Sequence, residues 1–197
     1  YPIDVEAFGA SAIAFAGHKG LNGLQGTGGF YIRKGFDINP ILFGGTGTES
    51  MALAPEVIYP ESFEVGTPAM HDLIGLHAAI GHIEAIGHKD YADKIRSVAQ
   101  YAYDKLAKLP KVVLYGDEIK ALPVVSFNIK GISCKNVGII LGANGIVCRT
   151  GVHCASMALH KLGCMEEFGG TVRVSFGWYN TNEDVDVLVS AVRTICG

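Results

Sequence analysis

The sequence predicts an α/β protein in two parts. Short apolar or alternating β-type runs are interleaved with stretches of helical period, and the pattern changes near residue 110. Residues 1–110 carry glycine-rich segments and two long helical patterns, and residues 111–197 read as a small α+β domain. With 197 residues, 49% of them hydrophobic and 18% charged, the chain is long enough for one large domain or two small ones.

Residues 10–16 form a small apolar run that ends at Gly17-His18-Lys19, the pattern of a buried strand followed by a turn. A glycine-rich loop follows, then the strand-like Phe30–Arg33. Residues 40–67 are irregular. Thr67-Pro68 predicts a helix start, with Thr as N-cap and Pro at the first helical position. Leu73, Leu76, Ile80 and Ile83 then give one apolar face, which Gly87 interrupts. A second helix runs from about Asp90 to Pro110 with Ile95, Val98, Ala102, Leu106 and Leu109 on one side. Beyond it, 112–115, 124–129, 146–148 and 171–176 predict strands, and 135–142 a short helix. Thr181 with Asp184 resembles a capping box opening a last helix, with Val185, Leu188, Val189 and Val192 inward.

A net charge of -3 argues against nucleic-acid and anionic-membrane partners, and no apolar run reaches the length of a membrane span. Five scattered cysteines without a Cys-x-x-Cys predict reduced thiols in a cytoplasmic protein. Cys154, His160 and Cys164 match no common zinc spacing, so no metal site is predicted. His71, His77, His82 and His88 lack the three- or four-residue spacing of a metal pair and read as surface or edge residues.

Four segments carry chemistry. Arg149-Thr150-Gly151-Val152-His153-Cys154 places a thiol beside a histidine and five residues after an arginine; a thiol acts as nucleophile as its thiolate, which cationic neighbours favour. Lys19 sits in a glycine-flanked turn where backbone N–H groups could approach an anion, although alone such a lysine reads as solvated. Gly44–Ser50, rich in glycine and hydroxyls, reads equally as a phosphate cradle or a surface loop. Arg173 lies mid-strand on the same face as Thr171 and Ser175, opposite to Val172 and Val174; it suits bidentate carboxylate binding or simple solvation.

In order, these segments resemble the pyridoxal-phosphate-dependent cysteine desulfurases of the class V aminotransferase group. The series is Gly-His-Lys, Gly-Thr-Gly-Gly, Gly-Gly-Thr-Gly, Phe-Glu-Val-Gly-Thr, Arg-Thr-Gly-Val-His-Cys, and Thr-Val-Arg-Val-Ser-Phe with Tyr-Asn-Thr. It covers essentially the whole chain. The resemblance implies the C-terminal part of a fold type I large domain plus a small α+β domain. It implies pyridoxal 5'-phosphate held by Lys19 as Schiff-base lysine, with His18 near the cofactor and Gly47 and Thr48 toward its phosphate. It further implies Cys154 as the thiol that attacks the substrate sulfur, Arg173 as the clamp on the substrate carboxylate, and Arg149 at the mouth of the site. Expected partners are L-cysteine, a sulfur-acceptor protein or small thiol, and a second copy in a homodimer. A selenocysteine lyase, another class V aminotransferase or lyase, and a non-catalytic sulfur-carrier or partner-binding fragment are the alternatives.

The chain departs from the family at several places. Ala16 stands where many relatives have a phosphate-binding hydroxyl, Val152 where some have histidine, and Ser156-Met157 lacks a frequent proline. Ala69 and Ser62 replace a frequent asparagine and arginine. The family's aspartate for the pyridine nitrogen and its stacking histidine are not located here, which predicts a piece of a longer protein with apolar surface left to be covered.

Overall fold

Alternation along the strands decides where everything else in this chain sits. The structure is a computed structural model that describes residues 2–47, 57–116 and 122–197. It divides into two compact units, Pro2–Gly87 and His88–Gly197. The division precedes the expected break near residue 110, because the helix before Pro110 buries its apolar side within the second unit.

In the first unit, β1 (Ala12–Ala16) and β2 (Gly28–Ile32) form an antiparallel pair with Ala14 opposite Phe30 and Ala16 opposite Gly28. The expected strand over 10–16 is present, but it is not buried: Ala12, Ala14 and Phe15 are exposed. Helix α1 spans Met70–Ile86 and buries Leu76 and Ile83. It starts later than expected. Ala69 is the N-cap, and Thr67 does not provide the predicted cap. Ile58, Tyr59 and Phe63 gather near a 3-10 turn at Glu61–Phe63, where the Phe63 ring lies 5.5 Å from that of Phe30. Phe15, Phe30, Ile41, Leu42 and Phe43 are exposed.

The second unit is a four-stranded antiparallel sheet in the order β3-β4-β6-β5, with β3 Val112–Tyr115, β4 Val124–Ile129, β5 Arg149–Gly151 and β6 Thr171–Ser175. Its helices are α2 (His88–Leu106), α3 (Cys134–Ala143), α4 (Ser156–Lys161), α5 (Cys164–Phe168) and α6 (Asn182–Cys196). Period-two alternation sends Val125, Phe127, Ile129, Val172 and Val174 to one face, where they pack with Val98, Leu106, Val137, Leu141, Val185 and Val192 of α2, α3 and α6. Burial of such side chains is worth about 1.5–3 kcal/mol each before conformational entropy is counted. Residues between them face the other way. There Val113 and Tyr115 meet Leu159, Cys164 and Phe168 of α4 and α5.

One local signal appears as predicted. The hydroxyl of Thr181 accepts from the Asp184 amide while the Asp184 carboxylate accepts from the Thr181 amide, a complete capping box. Ser133 caps α3 through the Asn136 amide. The expected strand at 146–148 is displaced: the paired residues are Arg149–Gly151, because their partners on β6 begin at Thr171. No helix among the described residues is long and apolar enough to cross a membrane.

Candidate active site

The sheet face opposite the core carries polar side chains in register. Ser126 on β4 pairs with Arg173 on β6, and Arg173 pairs with Arg149 on β5. One cross-strand row therefore reads Ser–Arg–Arg. Like charges directly opposite one another on adjacent strands are unfavourable, so this pair of guanidiniums favours an anion. Arg173 also has a buried Nε with no hydrogen-bond partner. A cavity of about 360 Å³ opens on this face, lined by Tyr115, Ser126, Thr171, Arg173, His153 and Leu159 among others.

Strand β5 delivers the cysteine-bearing loop to that face. After Gly151 (φ 99°), His153 and Cys154 take successive left-handed conformations, with φ 55° and 60°. The Ala155 amide donates to the Val152 carbonyl at 2.9 Å and closes the turn. Cys154 is exposed, and Nη2 of Arg149 donates to its Sγ at 3.6 Å. Its neighbours in sequence, His153 and Ala155, both line the cavity. The other four cysteines are also free thiols; Cys134, Cys164 and Cys196 are buried. Burial pushes the Cys164 thiol up, as it does that of the half-buried Cys148.

The loop is seated against the start of β6. Nε2 of His153 lies 3.0 Å from the Thr171 carbonyl and 2.9 Å from its hydroxyl. Burial and then the guanidinium of Arg173 hold the His153 ring below its ordinary titration range, with Arg149 adding a smaller effect in the same direction. Beneath the loop, Gly170 (φ 126°) approaches Gly151 so closely that a Cβ on it would lie 2.4 Å from the Gly151 carbonyl oxygen. Asn128, fully buried, donates from Nδ2 to the Gly170 carbonyl at 2.8 Å and to the Tyr115 hydroxyl at 2.9 Å. Burial raises the Tyr115 phenol, which helps keep it a neutral hydroxyl at the cavity wall.

The first unit holds the other predicted residues. Lys19 and His18 are exposed in the turn after β1. Backbone bonds fix that turn: the Asn22 amide donates to the Lys19 carbonyl at 3.0 Å, and the Gly23 amide to that of Gly17 at 2.8 Å. Gly17 is buried, and a Cβ there would meet Oγ1 of Thr27 at 2.4 Å, so the base of the turn packs tightly beneath Lys19. Gly47 has φ 84° and open space around it; Thr48 lies outside the described residues. The structure thus brings Arg149, Cys154 and Arg173 together in the second unit, while His18 and Lys19 share one turn of the first. Sequence reasoning assigned no role to Ser126 or Tyr115; it took His153 only as a neighbour of the thiol and Thr171 only as sharing a strand face with Arg173. The strand over 124–129 was expected, but strand pairing was needed to set Ser126 beside Arg173.

Known proteins resemble this chain in sequence and in fold. A family model described as aminotransferase class-V matches residues 1–188. A curated relative from Halalkalibacterium halodurans named "Probable cysteine desulfurase" is 36% identical over 195 residues, covering 97% of this chain and 47% of the relative. The apo structure of a cysteine desulfurase from Thermococcus onnurineus NA1 superposes with a TM-score of 0.89 at 36% identity, over 98% of this chain and 48% of that one. An Escherichia coli cysteine desulfurase in an S-sulfonic acid form gives 0.81 at 31% identity, over 98% and 48%. The chain spans about half the length of the curated relatives it matches. The expected fold, the portion of a fold type I enzyme that includes its small domain, is the one found.

Proposed function

The chain belongs to the class V aminotransferase family, and from that premise we propose that the protein is a pyridoxal-phosphate-dependent cysteine desulfurase. It converts L-cysteine to L-alanine and leaves the sulfur as a persulfide on Cys154. The observation that carries this reading is the placement of Cys154: exposed, against Arg149, and flanked by two residues of the cavity that Arg173 lines. A transaminase has no use for a thiol so placed.

The residues present fit the cofactor. Lys19 offers an exposed primary amine on a backbone-bonded turn, suited to covalent attachment to an aldehyde. For the substrate, Arg173 brings a guanidinium whose buried Nε lacks an acceptor, suited to a carboxylate. When bound, pyridoxal phosphate supplies an electron sink next to the substrate's Cα. Lys19 Nζ would hold the cofactor and, once released from it, would carry the substrate's Cα proton. Arg173, with Ser126 beside it, binds the amino-acid carboxylate and fixes the substrate's orientation. Cys154 Sγ, as thiolate, attacks the substrate sulfur. The new S–S bond forms as the Cβ–S bond breaks, and the electron pair stays with the three-carbon fragment. That fragment takes a proton at Cβ and leaves as alanine, so no external oxidant is required.

His18 lies near the cofactor, and Gly47 and Thr48 lie toward its phosphate in this reading. The protein is a cytoplasmic homodimer that passes its sulfur to an acceptor protein or small thiol. The free, scattered cysteines support the compartment. The test is peptide mapping of the natural full-length protein after exposure to L-cysteine. One added sulfur on the Cys154 peptide, and borohydride-fixed pyridoxyl on Lys19, are expected. Cys154→Ala abolishes sulfur release and keeps the label on Lys19; undiminished sulfide from that variant refutes the assignment.

A further inference from the structure

We infer that His153 is a positioning residue whose Nε2–H latches the Cys154 loop to the first residue of β6, holding Sγ against Arg149 beside the cavity. The inference deepens the desulfurase reading and rests on it for its functional meaning.

The loop needs such a latch. Two consecutive non-glycine residues in the left-handed region, His153 and Cys154, are each strained and persist where the surroundings over-determine them. The turn's own hydrogen bond, Ala155 to Val152, stays within the loop and does not tie it to the sheet. The His153 ring does. A carbonyl oxygen only accepts, so the 3.0 Å contact with the Thr171 carbonyl places the proton on Nε2. The Thr171 hydroxyl, 2.9 Å from the same nitrogen, shares that proton.

The remaining nitrogen explains why the latch stays in one form. Nδ1 of His153 is buried and has no hydrogen-bond partner. A proton there would be a donor without an acceptor, near Arg173 on β6 and Arg149 on β5. Besides Arg173, the other titratable side chain lining this cavity is Tyr115, whose phenol is raised by burial; the Cys154 thiol follows the ring in sequence. The environment therefore favours the neutral ring with Nε2–H, the tautomer that bonds β6. The seat beneath is rigid, since Asn128 anchors Gly170, and Gly170 packs against Gly151 at the loop's entry. The chain of support runs from the sheet interior to the thiol.

Two substitutions separate the latch from the backbone. His153→Gln retains an N–H donor at the reach of Nε2 but suits the left-handed region less well. His153→Asn suits that region but is too short to reach Thr171. The readout is the alkylation rate of Cys154 by iodoacetamide in the natural full-length protein, mapped by peptide, with and without Arg149→Gln. A held Sγ feels the loss of Arg149, so in the parent Arg149→Gln changes the rate by about threefold or more. The latch predicts that this dependence survives in His153→Gln and disappears in His153→Asn. Any other pattern overturns it: dependence kept in the Asn variant means that the backbone alone holds the loop, and dependence lost in the Gln variant means that the donor is insufficient. Should His153→Asn fail to fold, His153→Gly takes its place, because glycine accepts this backbone freely. The assay needs no turnover. Persistent coupling without sulfide from L-cysteine sinks only the desulfurase reading, and sulfide release without coupling sinks only the latch.

Discussion

The two units of this chain are built from similarly apolar sequence and end in different states. The second unit closes a core of its own, in which Phe127, Leu106, Val172 and Val192 are inaccessible to solvent. The first buries Leu76 and Ile83 but leaves Phe15, Phe30, Ile41 and Phe43 exposed. The difference is topological. Four antiparallel strands with three long helices on one face satisfy both the apolar surface and the backbone, whereas a two-stranded pair is marginal by itself in water. Each unit nonetheless carries a residue the proposed chemistry needs, Lys19 in one and Cys154 in the other.

The sharpest way to test that contrast is to truncate one phenylalanine in each unit. Phe127→Ala should cost about 3–5 kcal/mol of unfolding free energy, and Phe15→Ala, on an exposed strand, well under 1 kcal/mol. Comparable losses in denaturant melts of the chain would mean that the first unit has a core after all. A smaller effect is expected at the capping box: Thr181→Ala should cost about 1 kcal/mol, read in the same melts. The smallest is a pH effect. The His153 ring titrates below its ordinary 6.5 in the folded protein, so the unfolded chain binds its proton first. The stability this contributes is present above pH 6.5 and is lost as pH falls through the depressed folded value. Thermal melts of His153→Gln should lack that increment of acid sensitivity; an unchanged pH profile would count against a buried neutral ring.

Legibility followed the range of the interactions. The capping box and the inward residues of α6 were readable because they depend on neighbours four residues apart or fewer. The alternation of β6 was readable for the same reason, and it put Arg173 on the face away from Val172 and Val174. Strand β5 was misplaced because three residues carry little pattern and their pairing is set by β6, some twenty residues away. Helices α4 and α5 went unseen, being short and separated by Gly163 in the left-handed region. Thr67 looked like a cap, but α1 begins at Met70. At the site, the motif 149–154 pointed to the thiol, while the left-handed pair at its tip and the seat on Thr171 depend on contacts between strands that local sequence does not encode.

The approach of Gly170 to Gly151 has a consequence for how this protein can vary. Any side chain at position 170 meets backbone, which cannot swing aside as a flexible side chain would. A survey of every substitution in the chain would then mark Gly170 nearly as strictly as Cys154, though it offers no atom to the substrate. Intolerance at that position would record the tailoring of two crossing backbones, and a search for active residues guided by intolerance alone would mistake the seam for the blade.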